Sequence, residues 1–321
     1  MKSPLSNLKI GLTLGDPSGI GPEIAARAVS ALRGRFDFVI IGDRRVFDRV
    51  AESGLGKSLD FIDLNNVSRR GFKFGKVSAD YGRASIEYLD KALELIKGKR
   101  IDCLVTAPIS KEAVKLAGYN YSGHTEYFAQ NCRAKDTVMM LLNKRLRCAL
   151  VTRHIPLNAV SSRLTTAGIC KTTEIAFDSL RRLFKIENPR IVISALNPHA
   201  SDNGLIGREE EWIIQPAVVK LKKKIPSIQG PLPADTAISK AIGGKFDCVI
   251  SLFHDQALIP LKISGADSGV NLTLGLEFIR TTPLHGVAFD IAAKRNPAAD
   301  IRPMIEAIKL AVKCTRNQKR A

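Results

Sequence analysis

The sequence predicts an α/β fold of three layers, in which helices cover both faces of a mostly parallel sheet. Short apolar runs of β-branched or aliphatic residues, bounded by Gly, Pro or Asp, are typical of strands buried on both faces. Longer segments with apolar residues three and four positions apart lie between these runs and predict helices. The alternation of the two patterns along the chain indicates the α/β class.

Taken in order, the apolar runs predict strands at residues 10–14, 38–41, 103–105, 149–151, 191–193 and 248–250. The periodic segments predict helices at residues 81–97, 165–184, 209–224 and 300–312. The chain contains no repeat, low-complexity segment or evident linker. Two domains that share one sheet would account for the missing linker.

Composition narrows the class of protein. The chain has 321 residues, 45% of them hydrophobic, and 49 Lys and Arg against 31 Asp and Glu, which gives a net charge of +18. These values exclude a disordered chain, and no apolar run is long enough to span a bilayer. We therefore expect a cytoplasmic protein with no membrane partner. Six scattered cysteines without a C-x-x-C pair indicate neither a disulfide framework nor a cysteine zinc site.

The positive charge suits a phosphorylated small substrate, an anionic lipid surface or a nucleic acid. No recognition helix, zinc finger or aromatic-rich motif supports binding to DNA or RNA, and only 6% of the residues are aromatic. A nucleic-acid-binding protein is therefore a remote alternative, and we expect no nucleic-acid partner.

Three of the five histidines occupy equivalent positions, because His154, His199 and His254 each close or shortly follow a predicted strand. Ligands of open α/β sheets collect at the carboxyl ends of the strands, so three imidazoles delivered there could hold one metal ion. Asp255 could orient His254 or act as a further ligand, or it could cap the following helix.

Two further stretches carry groups suited to an anion. His124 and Thr125 lie in the turn at residues 122–126, at the start of a helix, where backbone N–H groups favour negative charge; a plain capping turn is the alternative. Lys262, Asn271 and Arg280 lie in a stretch rich in glycines and small residues. They would suit a phosphate and a carboxylate on one substrate, or they could be loop residues that face water.

A Gly- and Pro-rich turn at residues 15–23, GDPSGIGPE, leads from the first strand into a helix. It contains neither the P-loop pattern nor the dinucleotide G-x-G-x-x-G pattern. We therefore interpret it as a tight strand-to-helix turn near an active cleft.

Together these motifs resemble the 4-hydroxythreonine-4-phosphate dehydrogenase family of vitamin B6 biosynthesis. The resemblance extends over nearly the whole chain and rests on GDPSGIGPE at 15–23, TAPISKEA at 106–113, SGHTE at 122–126, HIP at 154–156, NPHA at 197–200, GREE at 207–210, GPLPADT at 230–236, FHDQALIPLK at 253–262 and GVNLTLGLEFIRT at 269–281. It implies an isocitrate/isopropylmalate dehydrogenase-like fold and a homodimer with its active site at the subunit interface.

The resemblance also assigns roles to residues. It implies a divalent metal, Zn²⁺, Mg²⁺, Co²⁺ or Mn²⁺, on His154, His199 and His254. The implied substrate contacts are His124, Thr125, Lys262, Asn271 and Arg280. The implied domains are residues 1–135 plus 283–321 on the cofactor side, and residues 136–282 on the metal, substrate and dimer side.

The segment from His285 to Lys294 resembles the adenosine-binding loop HGSAPDIAGK of the isocitrate and isopropylmalate dehydrogenases, although Val287, Phe289 and Ala293 depart from it. The resemblance implies that His285, Gly286 and Asp290 bind NAD. Asp290 would bond the ribose hydroxyls and repel a 2′-phosphate, which favours NAD over NADP. A structural turn residue is the alternative for His285.

The implied reaction is the oxidation of 4-phosphooxy-L-threonine at its C3 hydroxyl, followed by decarboxylation to 3-amino-2-oxopropyl phosphate. Candidates for the proton acceptor are Lys262, His124, or a water relayed through Asp235 or Asp255. Relatives with the same motifs act instead on D-erythronate or D-threonate 4-phosphate, and the sequence leaves both possibilities open.

Overall fold

The computed structural model describes residues 8–121, 123–134, 136–294 and 299–320. Its strands within these ranges are β1 (Lys9–Thr13), β2 (Asp37–Gly42), β3 (Asp60–Asp63), β4 (Cys103–Thr106), β5 (Val138–Leu142), β6 (Arg147–Leu150), β7 (Ile191–Ser194), β8 (Gln229–Leu232), β9 (Cys248–Ser251), β10 (Val270–Leu274) and β11 (Ile279–Pro283). Each of the strands that the sequence predicts is present.

The helices in the same ranges are α1 (Gly21–Ala31), α2 (Arg44–Asp48), α3 (Ala79–Lys97), α4 (Lys111–Leu116), α5 (His124–Asn131), α6 (Val160–Arg163), α7 (Thr166–Phe184), α8 (Gln215–Lys222), α9 (Ala234–Ile242), α10 (His254–Gly265), α11 (Phe289–Ala292) and α12 (Arg302–Lys319). A π-helical turn, Glu210–Ile214, leads into α8. The last predicted helix is confirmed and continues to Lys319. Among the described helices, none combines the length and apolarity needed to cross a bilayer.

The first of two structural units comprises Met1–Lys135 and Leu276–Lys319. Its strands follow the order β3-β2-β1-β4-β11 and pair in parallel. The residues of β4 and β11 are buried throughout, as expected for strands covered on both faces. Helix α12 packs on β4 and β11, and α3 packs on β1 and β2.

The second unit comprises Asp136–Gly275 and the last two residues of the chain. Its strand order is β10-β5-β6-β9-β7-β8. β5 runs antiparallel to β10 and β6, whereas the remaining pairs are parallel. Helices α7, α9 and α10 pack against these strands. Mostly parallel strands flanked by helices confirm the α/β class in both units.

The second boundary between the units lies at residues 275 and 276, whereas the sequence places it at 282 and 283. The difference comes from β11, whose Ile279 pairs with Cys103 of β4. This pairing assigns the residues before Pro283 to the first unit.

Candidate active site

Arg280 is the centre of a buried polar cluster in the first unit. It lies on β11 with no exposed surface, and its Nε and Nη2 donate to Thr106 Oγ1 at 3.1 and 2.5 Å. Thr106 ends the neighbouring β4, and its carbonyl accepts a hydrogen bond from Thr282 Oγ1 at 2.7 Å. The guanidinium carbon lies 5.7 Å from the ring centre of Phe128 on α5. The guanidinium is therefore fixed, and the alternative of loop charges that face water is wrong for Arg280.

His124 begins α5 and shares this cluster. Burial and the positive charge of Arg280 hold the pKa of His124 well below its usual value, although a hydrogen bond with the Ala107 backbone acts in the opposite direction. His124 is therefore neutral near pH 7, and its Nε2 is buried without a hydrogen-bond partner in the described part of the chain. The adjacent Thr125 is also buried.

Burial also lowers the pKa of Arg280, to about 9, while the negative charge of Glu126 opposes the effect. The lowered pKa reflects the cost of removing a guanidinium from water. A buried, positively charged guanidinium is suited to hold an anionic substrate group. Arg280, His124 and Thr125, which the sequence predicts as substrate contacts, thus form an arrangement that can receive a phosphate or carboxylate.

Two of the three predicted metal ligands lie side by side in the second unit. The ring centres of His154 and His254 are 5.6 Å apart. Two imidazoles bound to one zinc ion at about 2.1 Å have ring centres roughly 5 Å apart, so the pair fits a shared ion. The Nδ1 atom of His254 lies 2.7 Å from Asp255 Oδ1, which orients the ring and leaves Nε2 for a ligand bond.

The third predicted ligand, His199, lies in a left-handed turn that follows β7. All five residues from His199 to Asn203 have positive φ, between 49° and 65°. Left-handed backbone costs roughly 1–2 kcal/mol per non-glycine residue, so other contacts must hold this turn in place. Throughout the described ranges, no three His, Cys, Asp or Glu side chains converge closely enough to hold a metal ion. The structure thus brings together two of the three predicted ligands.

Glu210 holds the backbone that leads into the left-handed turn. Its buried Oε1 accepts hydrogen bonds from the backbone N–H groups of Leu196 and Asn197, both at 2.8 Å. The Asn197 side chain donates to Glu210 Oε2 and Glu209 Oε2, again at 2.8 Å. Sequence reasoning gave Glu210 and Thr106 no role, although both lie in the motifs GREE and TAPISKEA.

The predicted cofactor segment follows β11 in the first unit. His285 Nε2 is buried without a partner among the described residues, and burial lowers the pKa of His285. A Cβ at Gly286 would meet open space, whereas Asp290 on α11 is exposed. An unsatisfied buried nitrogen beside open space fits a bound group such as NAD.

The turn at residues 15–23 packs against this segment. The Ile20 N–H donates to the Val287 carbonyl at 2.9 Å, and a Cβ at Gly19 would lie only 2.9 Å from that oxygen. Close approach therefore requires glycine at this position. Asp16 of the same turn is fully buried, and its Oδ1 accepts the Ser18 N–H at 2.9 Å.

The remaining predicted site residues lie on separate elements of the second unit. Lys262 is an exposed residue of α10, and Asp235 is an exposed residue in the first turn of α9. Asn271 lies on β10, where its Oδ1 is buried without a hydrogen-bond partner in the described ranges. That unsatisfied oxygen is consistent with the predicted role of Asn271 in binding a ligand.

Comparisons with known proteins agree on a family. Residues 20–311 match the family model described as pyridoxal phosphate biosynthetic protein PdxA. A 4-hydroxythreonine-4-phosphate dehydrogenase of Sulfurihydrogenibium sp. (strain YO3AOP1) is 40% identical over 97% of this chain and 100% of its own. A D-threonate 4-phosphate dehydrogenase of Cupriavidus necator is 38% identical, over 94% and 95% of the two chains.

Among solved structures, a 4-hydroxythreonine-4-phosphate dehydrogenase from Klebsiella pneumoniae superimposes with a TM-score of 0.84 at 33% identity. The match covers 98% of this chain and 99% of that one. Sequence, fold and the buried polar cluster thus lead to the same conclusion. The chain belongs to the PdxA family and is one of its dehydrogenases.

Proposed function

We propose that the protein oxidises 4-phosphooxy-L-threonine at its C3 hydroxyl, using NAD and a divalent metal, and releases 3-amino-2-oxopropyl phosphate and CO₂ in pyridoxal 5′-phosphate biosynthesis. The observation that carries this proposal is the completely buried Arg280, fixed by Thr106 beside a neutral His124. A buried guanidinium of this kind is suited to an anionic group, and the substrate carries a phosphate and a carboxylate.

The chain's own residues would bind and orient this substrate. Arg280 offers a rigid guanidinium suited to a bidentate contact with one anionic group. Thr125 and the helix start at His124 add donors, and Asn271 and Lys262 are the proposed contacts from the second unit. Because Arg280 is already ordered and dehydrated, binding would cost it little conformational entropy.

His154 and His254 would hold the metal, with His199 as the proposed third ligand. His285, Gly286 and Asp290 would hold NAD. When bound, the metal supplies Lewis acidity toward the developing negative charge, and NAD⁺ accepts the hydride. Imidazole ligands suit Zn²⁺, Co²⁺ or Mn²⁺ better than Mg²⁺.

The oxidation removes a proton from the C3 hydroxyl and a hydride from C3, which leaves a ketone. The bond between C2 and the carboxylate carbon then breaks and CO₂ departs. A proton adds to C2 in its place. His124 is a candidate acceptor for the first proton, because it is neutral and its Nε2 has no partner in the described ranges. Lys262, or a water relayed through Asp235 or Asp255, is the alternative.

We also propose a homodimer whose active site is completed by the second subunit. Two observations support it. One chain brings together only two of the three proposed histidine ligands. The second unit also exposes large apolar side chains, namely Leu157, Leu205, Ile206, Trp212, Ile259 and Ile263. Water-exposed apolar groups of this size are typical of a surface that another subunit covers.

A second substrate class has its own support, because the Cupriavidus necator relative and one from Salmonella typhimurium, at 37% identity, are named D-threonate 4-phosphate dehydrogenases. D-erythronate and D-threonate 4-phosphates carry a hydroxyl where the proposed substrate carries an amine. The chemistry at C3 would be the same for both classes.

The test follows NADH formation at 340 nm with purified, metal-reconstituted protein. It compares 4-phosphooxy-L-threonine with D-erythronate and D-threonate 4-phosphates, and uses His199→Ala as the control variant. We expect turnover of the amino substrate that the variant loses. Turnover of the sugar-acid phosphates alone would replace the proposed substrate, and no turnover of any of them would refute the proposal.

A further inference from the structure

A cavity of about 560 Å³ opens in the first unit at the amino ends of β4 and β11. Ile101 and Asp102 immediately precede β4, and Glu277 and Phe278 immediately precede β11. These two strands pair in parallel. Thr106 of the buried polar cluster ends β4, and the proposed NAD segment follows β11. The cavity therefore lies at the opposite ends of these strands from both features.

The lining of this cavity combines an apolar wall, charged groups and one thiol. They come from the ends of α3, α5 and α12 and from the segments before β4 and β11. In the described part of the chain, the lining shares no residue with the proposed substrate, metal and NAD contacts. The volume lies in the range of small-ligand sites. The chemistry of the lining therefore indicates which ligand it would take.

Leu93, Ile96, Ile101 and Phe278 form the apolar wall. Leu93 and Ile101 are buried, whereas Ile96 and Phe278 are half-buried. The Phe278 ring meets the fully buried Phe128 ring edge to face, with ring centres 5.8 Å apart. Because Phe128 holds this ring in place, the wall is ordered before a ligand arrives. Binding would therefore cost it little conformational entropy.

The charged groups of the lining leave an excess of one positive charge. Lys319 and Asp102 form an ion pair, so their charges offset each other. Lys97 and Lys99 remain, and Glu277 is the one acid left among the described lining residues to oppose them. A positive excess of this size attracts an anion, and one carboxylate would balance it.

Cys132 adds a half-buried thiol to the same wall. It ends α5, and its backbone N–H donates to the Phe128 carbonyl at 2.9 Å. Burial raises the pKa of Cys132, while the charge of Lys97 opposes this effect and the charge of Glu277 adds to it. The thiol therefore lies within reach of the charged groups of the lining, and its reactivity can report whether the cavity is occupied.

We propose that this cavity binds a small monocarboxylate with an apolar body. Lys97 and Lys99 would hold the carboxylate, and the body would pack on Ile96, Ile101 and Phe278. A neutral molecule would use the apolar wall but not the positive charge. A ligand of two or more negative charges, such as a phosphate, would exceed the net charge of the lining. The site takes no part in the proposed reaction and does not rest on it.

The test uses octanoate as the probe and measures how it slows alkylation of Cys132 by N-ethylmaleimide in the full-length protein. Peptide mass spectrometry separates Cys132 from Cys170, a half-buried cysteine of α7 that serves as the internal control. Octan-1-ol has the same chain length without the charge. We expect saturating octanoate to slow alkylation of Cys132 at least fivefold and to leave that of Cys170 within twofold. Octan-1-ol should protect Cys132 only at concentrations at least fivefold higher.

The variant for this test is the double substitution Lys97→Gln and Lys99→Gln. Both side chains are exposed, so the fold should be retained, and half-protection of Cys132 should need at least fivefold more octanoate. The matched control, Lys57→Gln with Lys313→Gln, replaces two exposed cations of the same unit outside the cavity and should stay within twofold of the parent protein.

Three results would overturn the proposal: no selective protection of Cys132 by millimolar octanoate, equal protection in the double variant, or equal potency of octan-1-ol. None of these readouts needs turnover. A protein that binds octanoate here but oxidises none of the three phosphorylated substrates would therefore refute the proposed reaction and leave this site intact.

Discussion

Arg280 is a fully buried cation near the start of β11, and Thr106 accepts hydrogen bonds from two of its donors. A buried charged donor without its acceptor loses both its hydration and its replacement hydrogen bond. The hydroxyl of Thr106 thus contributes to the stability of β11 and also sets the direction of the guanidinium.

Replacement of that hydroxyl should therefore affect both stability and binding. We expect Thr106→Val to lower the free energy of unfolding by about 1–3 kcal/mol, because the buried Nε and Nη2 donors of Arg280 lose their hydrogen bonds to the Thr106 hydroxyl. It should also raise KM for the phosphorylated substrate more than it lowers kcat. Urea unfolding and steady-state kinetics measure the two effects. Thr106→Ser keeps the oxygen and should restore both values, so a serine variant as weak as the valine variant would contradict this role.

Asp16 is a second residue whose environment opposes its charge. Burial raises its pKa from 3.8 to about 6, although hydrogen bonds from Ser18 act in the opposite direction. Because the folded pKa lies above the unfolded value, the protonated acid stabilises the fold. That contribution is complete below pH 3.8 and is lost as pH rises through about 6. The difference in pKa corresponds to about 3 kcal/mol for this buried group.

Asp16→Asn should remove this pH dependence while it keeps an oxygen for the Ser18 N–H. We expect the free energy of unfolding of the variant, relative to that of the parent protein, to be higher at pH 8 than at pH 4.5 by about 2 kcal/mol, because about a third of the effect is already lost at pH 4.5. Chemical denaturation of both proteins at the two pH values measures this difference. The contributions of other titrating groups are the same in both proteins and therefore cancel. An equal gap between the proteins at both pH values would show that Asp16 does not titrate in this window.

At the scale of elements, the left-handed turn after β7 is the clearest departure from regular structure. The turn consists of five consecutive residues with positive φ that begin at His199. Glu210 and Glu209 accept hydrogen bonds from Leu196 and Asn197, just before the turn. Strain of this kind persists where surrounding contacts determine the backbone, and it is common at functional sites. The GREE motif and the NPHA motif therefore form one structural element.

Glu210→Ala should release this element. Two backbone N–H groups would lose their acceptor, which predicts a loss of about 1–3 kcal/mol in the free energy of unfolding. If His199 ligates the metal, the affinity for Co²⁺ or Zn²⁺, measured by calorimetric titration, should fall at least tenfold. Glu211→Ala alters an exposed neighbour and should change neither quantity. Unchanged metal affinity in Glu210→Ala would separate this turn from the metal site.

At the scale of the whole molecule, α10 links the proposed metal site to the proposed dimer surface. His254 and Asp255 begin this helix, whereas Ile259 and Ile263, four residues apart, are 57% and 82% exposed on it. Residues at this spacing share one face of a helix, so the apolar pair forms a continuous stripe.

We expect the protein to elute as a dimer of about 70 kDa, twice the 35.0 kDa of the chain, in chromatography with light-scattering detection. Ile259→Asp combined with Ile263→Asp places two charges on the stripe and should shift the mass to that of the monomer, with loss of turnover. Leu116→Asp, at an exposed apolar site of the first unit, is the control and should remain dimeric. A monomeric parent protein would refute the dimer.

Much of the fold could be predicted from the sequence, because strands buried on both faces, such as β7 and β9, consist of short uninterrupted apolar runs. β10 and β11 were missed for a physical reason. They carry Asn271 and Arg280, whose polarity interrupts the pattern that marks a buried strand. Polar residues at buried strand positions weaken the local pattern of apolar residues from which a strand is predicted.

The candidate site could be predicted as a set of residues but not as an arrangement. The position of a histidine after a strand indicated His154 and His254, which the structure brings together. The left-handed turn at His199 could not be predicted, because the backbone before it donates hydrogen bonds to Glu210, eleven residues further along the chain. The contact between Thr106 and Arg280 joins residues 174 positions apart, beyond the reach of local patterns.

The pairing of β4 with β11 also determines when the sheet of the first unit can form during synthesis of the chain. β4 ends at Thr106, and its partner strand begins 173 residues later, at Ile279. At roughly 5–20 residues synthesised per second, one edge of β4 waits roughly 9–35 s for that partner. An apolar strand edge exposed for so long invites pairing with other nascent chains. The first unit therefore cannot be completed until the whole second unit, Asp136–Gly275, has been synthesised.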